Sequence, residues 1–198
     1  MVLYPTYFVS YETIKPPQIL AFKIYKSAPD TLVKWVTNLV IGFAVVVFGL
    51  NVFFPNGNMG QSPNLLILFF PLIFLTWAIH PTYYSITDSS IKLKRPFSSL
   101  EFSFDSIREV RRIMPADLGM SFRLFASGGL FGYLGLYNSN KIGKYTMWCT
   151  NQDEMVLIVY NDRKVVISPT DAGSFTNDFF FKSKEYYSLP RASGRTDG

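Results

Sequence analysis

The sequence predicts a membrane-anchored α+β protein: a two-helix transmembrane hairpin, then a run of antiparallel strands capped by a C-terminal α-helix. Three observations carry this expectation. Residues Trp35 to Thr87 contain no Lys, Arg, Asp or Glu across 53 positions. After Tyr83 the texture changes to short runs in which apolar and polar residues alternate, the period of half-buried strands. From Ser168 a capping signal precedes apolar residues at helical spacing.

The uncharged stretch holds two apolar runs, Trp35 to Phe54 and Asn64 to Ile79, separated by the turn-forming PNGNMGQSP of residues 55–63. As a helix the first is about 30 Å long, the thickness of a bilayer's hydrocarbon core. The second approaches that length once His80 to Tyr83 are added. A buried helical hairpin in a soluble core is the rarer origin of uncharged runs this long. The expected division is an N-terminal cytoplasmic segment (1–30), a hairpin (31–82, helices near 33–54 and 64–82), a β domain (83–187) and a disordered tail (188–198).

The N-terminal MVLYPTYFVSYE has no early basic residue and no small-residue cleavage site, so no signal peptide is expected. Beyond Pro16-Pro17, Leu20, Phe22 and Ile24 alternate with Ala21, Lys23 and Tyr25 in a strand pattern. Ser27 to Asp30 breaks the chain, and Asp30 or Thr31 is placed to cap the first helix. Lys15, Lys23, Lys26 and Lys34 precede that helix; Lys92, Lys94 and Arg95 follow the second; the connecting loop has no charge. The positive-inside rule then puts both termini in the cytoplasm, with the protein multi-pass in the cell (inner) membrane. Trp35, Trp77, Tyr83 and Tyr84 fall near the span ends, where amphipathic rings favour the interface. Pro71 interrupts the second helix, while Asn38, Asn51 and His80 lie close enough to helix ends to be wetted without serving a function.

In the β region, Tyr84 to Thr87 leads through Asp88-Ser89-Ser90 into Ile91 to Lys94, and Pro96 ends that strand. Leu100, Phe102 and Phe104 alternate with Glu101, Ser103 and Asp105, and IREVRRI (107–113) continues the apolar signal. Residues 115–121 read as a loop, and Phe122 to Phe125 and Tyr145 to Thr150 as further strands. Met155 to Tyr160 is a continuous apolar run, as a core strand would be, and Asn161-Asp162 turns it into Lys164 to Ile167. Ser168-Pro169-Thr170-Asp171 reads as a helix start with Ser at the cap, followed by Ala172, Phe175 and Phe179 on one face.

The segment ASGGLFGYLGLY (126–137) is followed by a strand ending at Thr150 and then by VLIVYNDRKVVISPTD (156–171). Together these resemble the bacterial PH-like (pleckstrin-homology-like) proteins in which two membrane helices precede the barrel. In that family a GGLFGY-G-Y stretch, an aromatic strand ending in Thr and an I-S-P-D start to the last helix recur together. The resemblance covers residues 20–180 in order and spacing, with its specific part at 127–171. It implies a PH-like antiparallel β-barrel capped by the C-terminal helix, and little about role. Read from the residues, Gly128, Gly129, Gly132 and Gly135 permit a tight, bulged connection between strands. Phe131, Tyr133 and Tyr137 supply it with apolar cover for the barrel or a lipid surface. A phosphate loop would need a Lys-Ser or Lys-Thr, or a G-x-G-x-x-G, and neither is present.

Chemistry finds few parts. The net charge of +5 is spread over both flanks without the dense stripe of a nucleic-acid binder. Cys149 is the sole cysteine and His80 the sole histidine, so no disulfide, Cys/His metal cluster or His-based triad is expected, and no cofactor. Asp153-Glu154 reads as a solvated loop pair. Binding is better supplied. Lys92, Lys94 and Arg95 lie just past the second helix, and Arg108, Arg111 and Arg112 form a second basic group that Arg123 extends. Their functional reading is contact with anionic headgroups, each worth about 1 kcal/mol near such a surface. The plainer reading is topological anchoring and ordinary solvated faces, with Glu101, Asp105 and Glu109 weakening the field. The expectation is a non-catalytic binding or scaffold module at the cytoplasmic face, contacting membrane lipids, a protein partner or a second copy. The alternative is an accessory subunit of a transporter or envelope enzyme acting through its membrane helices.

Overall fold

A computed structural model describes residues 23–53 and 63–188. The expectations for residues 1–22, for the loop at 54–62 and for the tail beyond 188 lie outside the described residues.

The first element is a strand, β1 (Lys23–Lys26), followed by α1 (Thr31–Phe53), α2 (Pro63–Ile79), β2 (Tyr83–Ile86), β3 (Ser90–Lys94) and β4 (Ser99–Ser103). A 3-10 turn at Phe104–Ser106 leads into β5 (Ile107–Ile113), the short α3 (Pro115–Leu118), β6 (Ser121–Gly128), β7 (Tyr133–Ser139) and β8 (Gly143–Cys149). β9 (Met155–Tyr160), β10 (Arg163–Ile167) and α4 (Ala172–Ser188) complete the chain.

The strands form two sheets, ordered β1-β2-β3-β4 and β5-β9-β10-β8-β7-β6. The PH-like arrangement of strands closed by a C-terminal helix fits, but the expectation of purely antiparallel pairing in one barrel is corrected. Among the described residues no ladder joins the sheets, only the isolated bridge between Ser27 and Pro169, and β10 pairs with β8 in parallel. The physical reason is the tight turn at Asn161 and Asp162, both at positive φ (43° and 60°), which folds β10 back beside β9 and into the slot next to β8. The segment 115–121, expected as a loop, instead contains α3 and the first residue of β6.

Burial explains the continuous apolar run of β9. Val156 and Ile158 face one core, with Tyr84, Ile91, Leu93, Phe102 and the α4 residues Phe175 and Phe179. Met155 and Leu157 face a second core on the other side of the sheet, with Tyr137, Tyr145, Met147 and Cys149. A strand covered on both faces has no polar side to show. Val33, at the start of α1, is buried in the second core.

β1 pairs with β2 in antiparallel register, Lys26 opposite Tyr83. The segment before the helices is therefore part of the β domain. α1 and α2 form a long excursion between two adjacent strands, and both leave from the same sheet end. Along α1 apolar side chains are exposed on every face: Trp35 is 72% exposed, Leu39 70% and Phe53 79%. α1 is long and apolar enough to cross a membrane, whereas α2 is a shorter apolar helix. α2 stops at Ile79 and does not run to residue 82, because the residue before Pro81 is driven out of the helical region. Thr82 already belongs to the sheet edge, its N–H donating to Lys94 O at 2.8 Å. Within the helices, Asn51 and Thr76 satisfy their side chains on the preceding turn, bonding Val47 O (2.7 Å) and Leu72 O (2.6 Å).

The α4 cap also differs from expectation. Asp171 fills it, its carboxylate accepting from Ser174 N–H (2.8 Å) and Ser174 Oγ (2.6 Å). Ser168 is buried three residues earlier, accepting from Thr150 N–H at 2.8 Å, and so ties β8 to the end of β10.

Candidate functional site

A set of polar side chains with specific partners gathers where α1 and α2 leave the sheets. Asp30 begins the arrangement. One carboxylate oxygen accepts from Val33 N–H (2.8 Å), capping α1, and the other accepts from the Tyr133 hydroxyl (3.0 Å). Its own N–H donates to Thr150 O at 2.9 Å. The first turn of α1 is thereby pinned to β7 and to the end of β8.

Two turns into the helix, Thr37 holds the tip of the Gly-rich segment. Its hydroxyl accepts from Phe131 N–H (3.0 Å) and donates to Gly129 O (3.4 Å). Gly129 has φ +112°, and a Cβ there would sit 3.2 Å from Leu32 Cδ2, so only glycine lets this tip seat on α1. Phe131 is held at φ 55°, an unusual conformation for a bulky residue. Its ring lies 6.0 Å from the His80 ring at the end of α2. His80 Nδ1 contacts Trp77 O, and Trp77 stacks edge-on against Phe97 (5.5 Å) in the β3–β4 turn. Two sheet tips thus grip the two helix roots.

Between the roots lies an open cavity of about 380 Å³, lined by Val33, Lys34, Thr37 and Asn38 on α1, His80, Pro81 and Thr82 after α2, and Ser27, Pro29, Phe131 and Thr150. Among the described residues no acid lines it, and the carboxylate of nearby Asp30 is engaged by the α1 backbone and Tyr133. Ser27 Oγ and Thr150 Oγ1 are bonded at 2.7 Å along its floor. Above it, an apolar groove of about 830 Å³ runs between the helices, lined by Ile41, Ala44, Val45, Phe48, Phe69, Phe70, Pro71 and Ile73.

The basic residues singled out in the sequence do not gather into one surface. Lys92 faces Glu101 across the β3–β4 ladder (3.4 Å), and Ser90 Oγ also bonds Glu101 (2.6 Å). Those contacts, the Ser90 hydrogen bond first, hold the Glu101 carboxyl below its usual range. Arg108 pairs with Asp162, Arg111 with Glu109 (2.7 Å) and Arg112 with Glu154 (2.9 Å). Glu154 is accordingly not a free loop acid; its other oxygen accepts from Ala172 N–H (2.9 Å) at the start of α4. Arg95 lies over the Trp148 ring at 5.1 Å, and burial lowers its pKa. Lys94 ends β3 near the α2 root.

Arg123, with no ion pair among the described residues, borders a second cavity of about 250 Å³ with Tyr133, Tyr137 and Tyr145. The three hydroxyls point their hydrogens into the protein, at Asp30, Ser127 O and Ser121 Oγ. Burial pushes Tyr137 up to about 12. Gly128, Gly132 and Gly135 shape the β6–β7 hairpin, and Tyr133 and Tyr137 lie in β7, so two-thirds of the Gly-rich segment (126–137) is strand and not connection.

Sequence reasoning treated Lys34 as a topological flank and Asn38 and His80 as wetted helix-end residues, read Ser27 only as part of a chain break and Thr150 only as a strand end, and passed over Thr37. Only Asp30, read as a helix cap, signalled that the α1 root was built. Burial raises the Cys149 thiol pKa, and its Sγ–H donates to Val166 O (3.3 Å), a structural role.

A family model described as Bacterial PH domain matches residues 82–182. No curated protein matches the chain, and no solved structure does. The match spans just over half the sequence and runs from the first strand after the helices into α4, so this chain belongs to the bacterial PH domain family.

Proposed function

We propose that the protein is a non-catalytic binding and scaffold module, held against the cytoplasmic face of the membrane by the α1–α2 hairpin. One observation carries the reading: β1 and β2 are hydrogen-bonded neighbours, so they lie on the same side of any membrane. If α1 crosses, the chain must return before β2, and α2 is the apolar helix available to do it. At 23 residues α1 is about 34 Å long, enough to span with some tilt. At 17 residues α2 is about 25 Å, a shortfall that local thinning of the bilayer and interfacial anchors accommodate. Trp77 and Phe97 are placed for that anchoring, and Lys34, Lys94 and Arg95 give the cytoplasmic flank its charge. A PH domain is in general a binding module. Here its first strand and its tips are fixed to both helix roots, so it is presented within a few ångströms of the inner leaflet, to lipid headgroups, a protein partner or a second copy.

The test is topology. Reporter fusions at Gly60 and at the C-terminus are expected to read outside and inside, and the protein to resist carbonate extraction. A cytoplasmic Gly60, or release into the soluble fraction, would overturn the hairpin.

A further inference from the structure

We infer that the cavity at the helix roots and the groove above it form one site, which holds a single anionic glycerophospholipid. The inference rests on the membrane-hairpin reading and adds to it a specific resident ligand.

The two hollows are in series on one helical face. Lys34, Asn38, Ile41, Val45 and Phe48 are spaced four, three, four and three residues apart, one stripe of α1. Ile73 on α2 lines the groove, and His80, one residue past the end of α2, lines the cavity below it. The stripe changes character once. Below Ile41 it carries an ammonium and an amide, beside the imidazole of His80; from Ile41 upward the lining is wholly apolar. From Lys34 to Phe48 is about 21 Å along the axis, more than the roughly 15 Å hydrocarbon half-thickness of one leaflet. A small polar ion would leave the groove empty, and a purely apolar molecule would leave Lys34 and Asn38 without a partner. An amphiphile with a phosphate at one end satisfies both.

The sign of the charge follows from what surrounds Lys34. It has no ion pair among the described residues, and no carboxylate lines the cavity. Thr37 is engaged by Phe131 and Gly129, so the groups left to meet a headgroup are the Lys34 ammonium, the Asn38 amide and His80 Nε2. Phe131, bonded to Thr37 and packed on His80, forms one wall of the cavity. The surface residues Arg108, Arg111 and Arg112, each matched with an acid, are not part of it.

The full-length protein is purified from membranes containing phosphatidylglycerol and phosphatidylethanolamine, exchanged through detergent, and its retained phospholipid is extracted and quantified. About one phosphatidylglycerol per chain is expected to survive the exchange. Lys34→Glu is expected to lower that retention at least about fivefold. Ala44→Phe, which fills the groove without touching charge, is expected to lower it comparably. Lys184→Glu, far along α4, is expected to leave it unchanged, and all variants are checked by circular dichroism and melting. Added glycerol phosphate, which has the anion without the chains, is expected not to displace the lipid. Absence of retained lipid in the wild type, equal retention in folded Lys34→Glu or Ala44→Phe, or displacement by glycerol phosphate would each overturn the site. Failure of the hairpin itself shows separately, as a soluble protein or a cytoplasmic Gly60.

Discussion

At the scale of single residues, the tightest coupling between helices and sheets passes through Thr37 and Phe131. A left-handed phenylalanine costs about 1–3 kcal/mol and persists only where its surroundings over-determine it. The Thr37 hydroxyl, bonded to both sides of the tip, is that determinant. Thr37→Val keeps the shape and removes the acceptor, leaving a half-buried N–H unsatisfied; the expected loss is about 1–3 kcal/mol. Thr37→Ser should recover most of it. Thermal unfolding in detergent measures both. A second residue-scale case is Asp178 on α4, which accepts from Tyr25 on β1 and pairs with Lys23 at 2.7 Å. Burial works against its carboxylate, but the bonds from Lys23 and Tyr25 prevail and hold its pKa below the usual value. Tyr25 itself is pushed up to about 12, burial first and the Asp178 bond second. A depressed carboxylate contributes stability above its unfolded pKa and loses it as pH falls through the folded one. The wild-type melting temperature should therefore drop as pH falls below about 4, and Asp178→Asn should flatten that part of the curve.

At the scale of elements, β6 is an unusual edge. It closes one side of the six-stranded sheet with Phe122 60% exposed, Leu124 52% and Phe125 88%. An exposed apolar edge strand templates pairing with other chains unless something interrupts it. Two devices do so here: Arg123 within the strand, and a register shift between Arg123 and Phe125. Gly135 of β7 accommodates the shift, since at φ +125° a Cβ would run into Phe125 O. Arg123→Val should leave the fold intact and raise the aggregated fraction seen by light scattering. α4 offers a cleaner test of local signals, because the expected cap was Ser168 and the structure places it at Asp171. Asp171→Ala should lower the melting temperature through the lost cap, measured by thermal unfolding. Ser168→Ala should act through β8 and β10, exposing no helix end. Runs such as Met155 to Tyr160 announced a core strand because both faces are buried, and Asn161-Asp162 announced its turn because few other pairs tolerate two positive φ angles. The parallel β8–β10 pairing and the split into two sheets were not legible, since pairing partners are set by tertiary packing that periodicity does not encode. The site was less legible still: Lys34, Thr37 and His80 are ordinary residues until the fold of β1 onto β2 brings their elements together.

At the scale of the whole molecule, that β1–β2 pairing changes what counts as the domain. Tyr25 is 6% exposed, packs against Phe175 at 5.1 Å and covers the same core as Tyr84 and Ile86. A fragment cut at residue 80 keeps the family-matched region but removes β1, bares the β2 edge and opens a cavity that an aromatic side chain filled. Losing such a ring costs on the order of 3–5 kcal/mol, a large part of the stability of a small domain. The opposite construction keeps both strands and discards the helices. Lys26 lies opposite Tyr83, and Ser27 N–H donates to Thr82 O at 3.2 Å, so the two chain ends are already adjacent. Replacing Thr31 to Ile79 with a short Asn-Gly linker turns the excursion into an ordinary hairpin connection. The linked protein, residues 23–30 joined to 80–188, should be soluble, monodisperse and cooperatively unfolding, whereas residues 80–188 alone should aggregate or melt well below it. Equal stability of the two would mean that β1 is dispensable, and with it the reason that both helices share one side of the sheet.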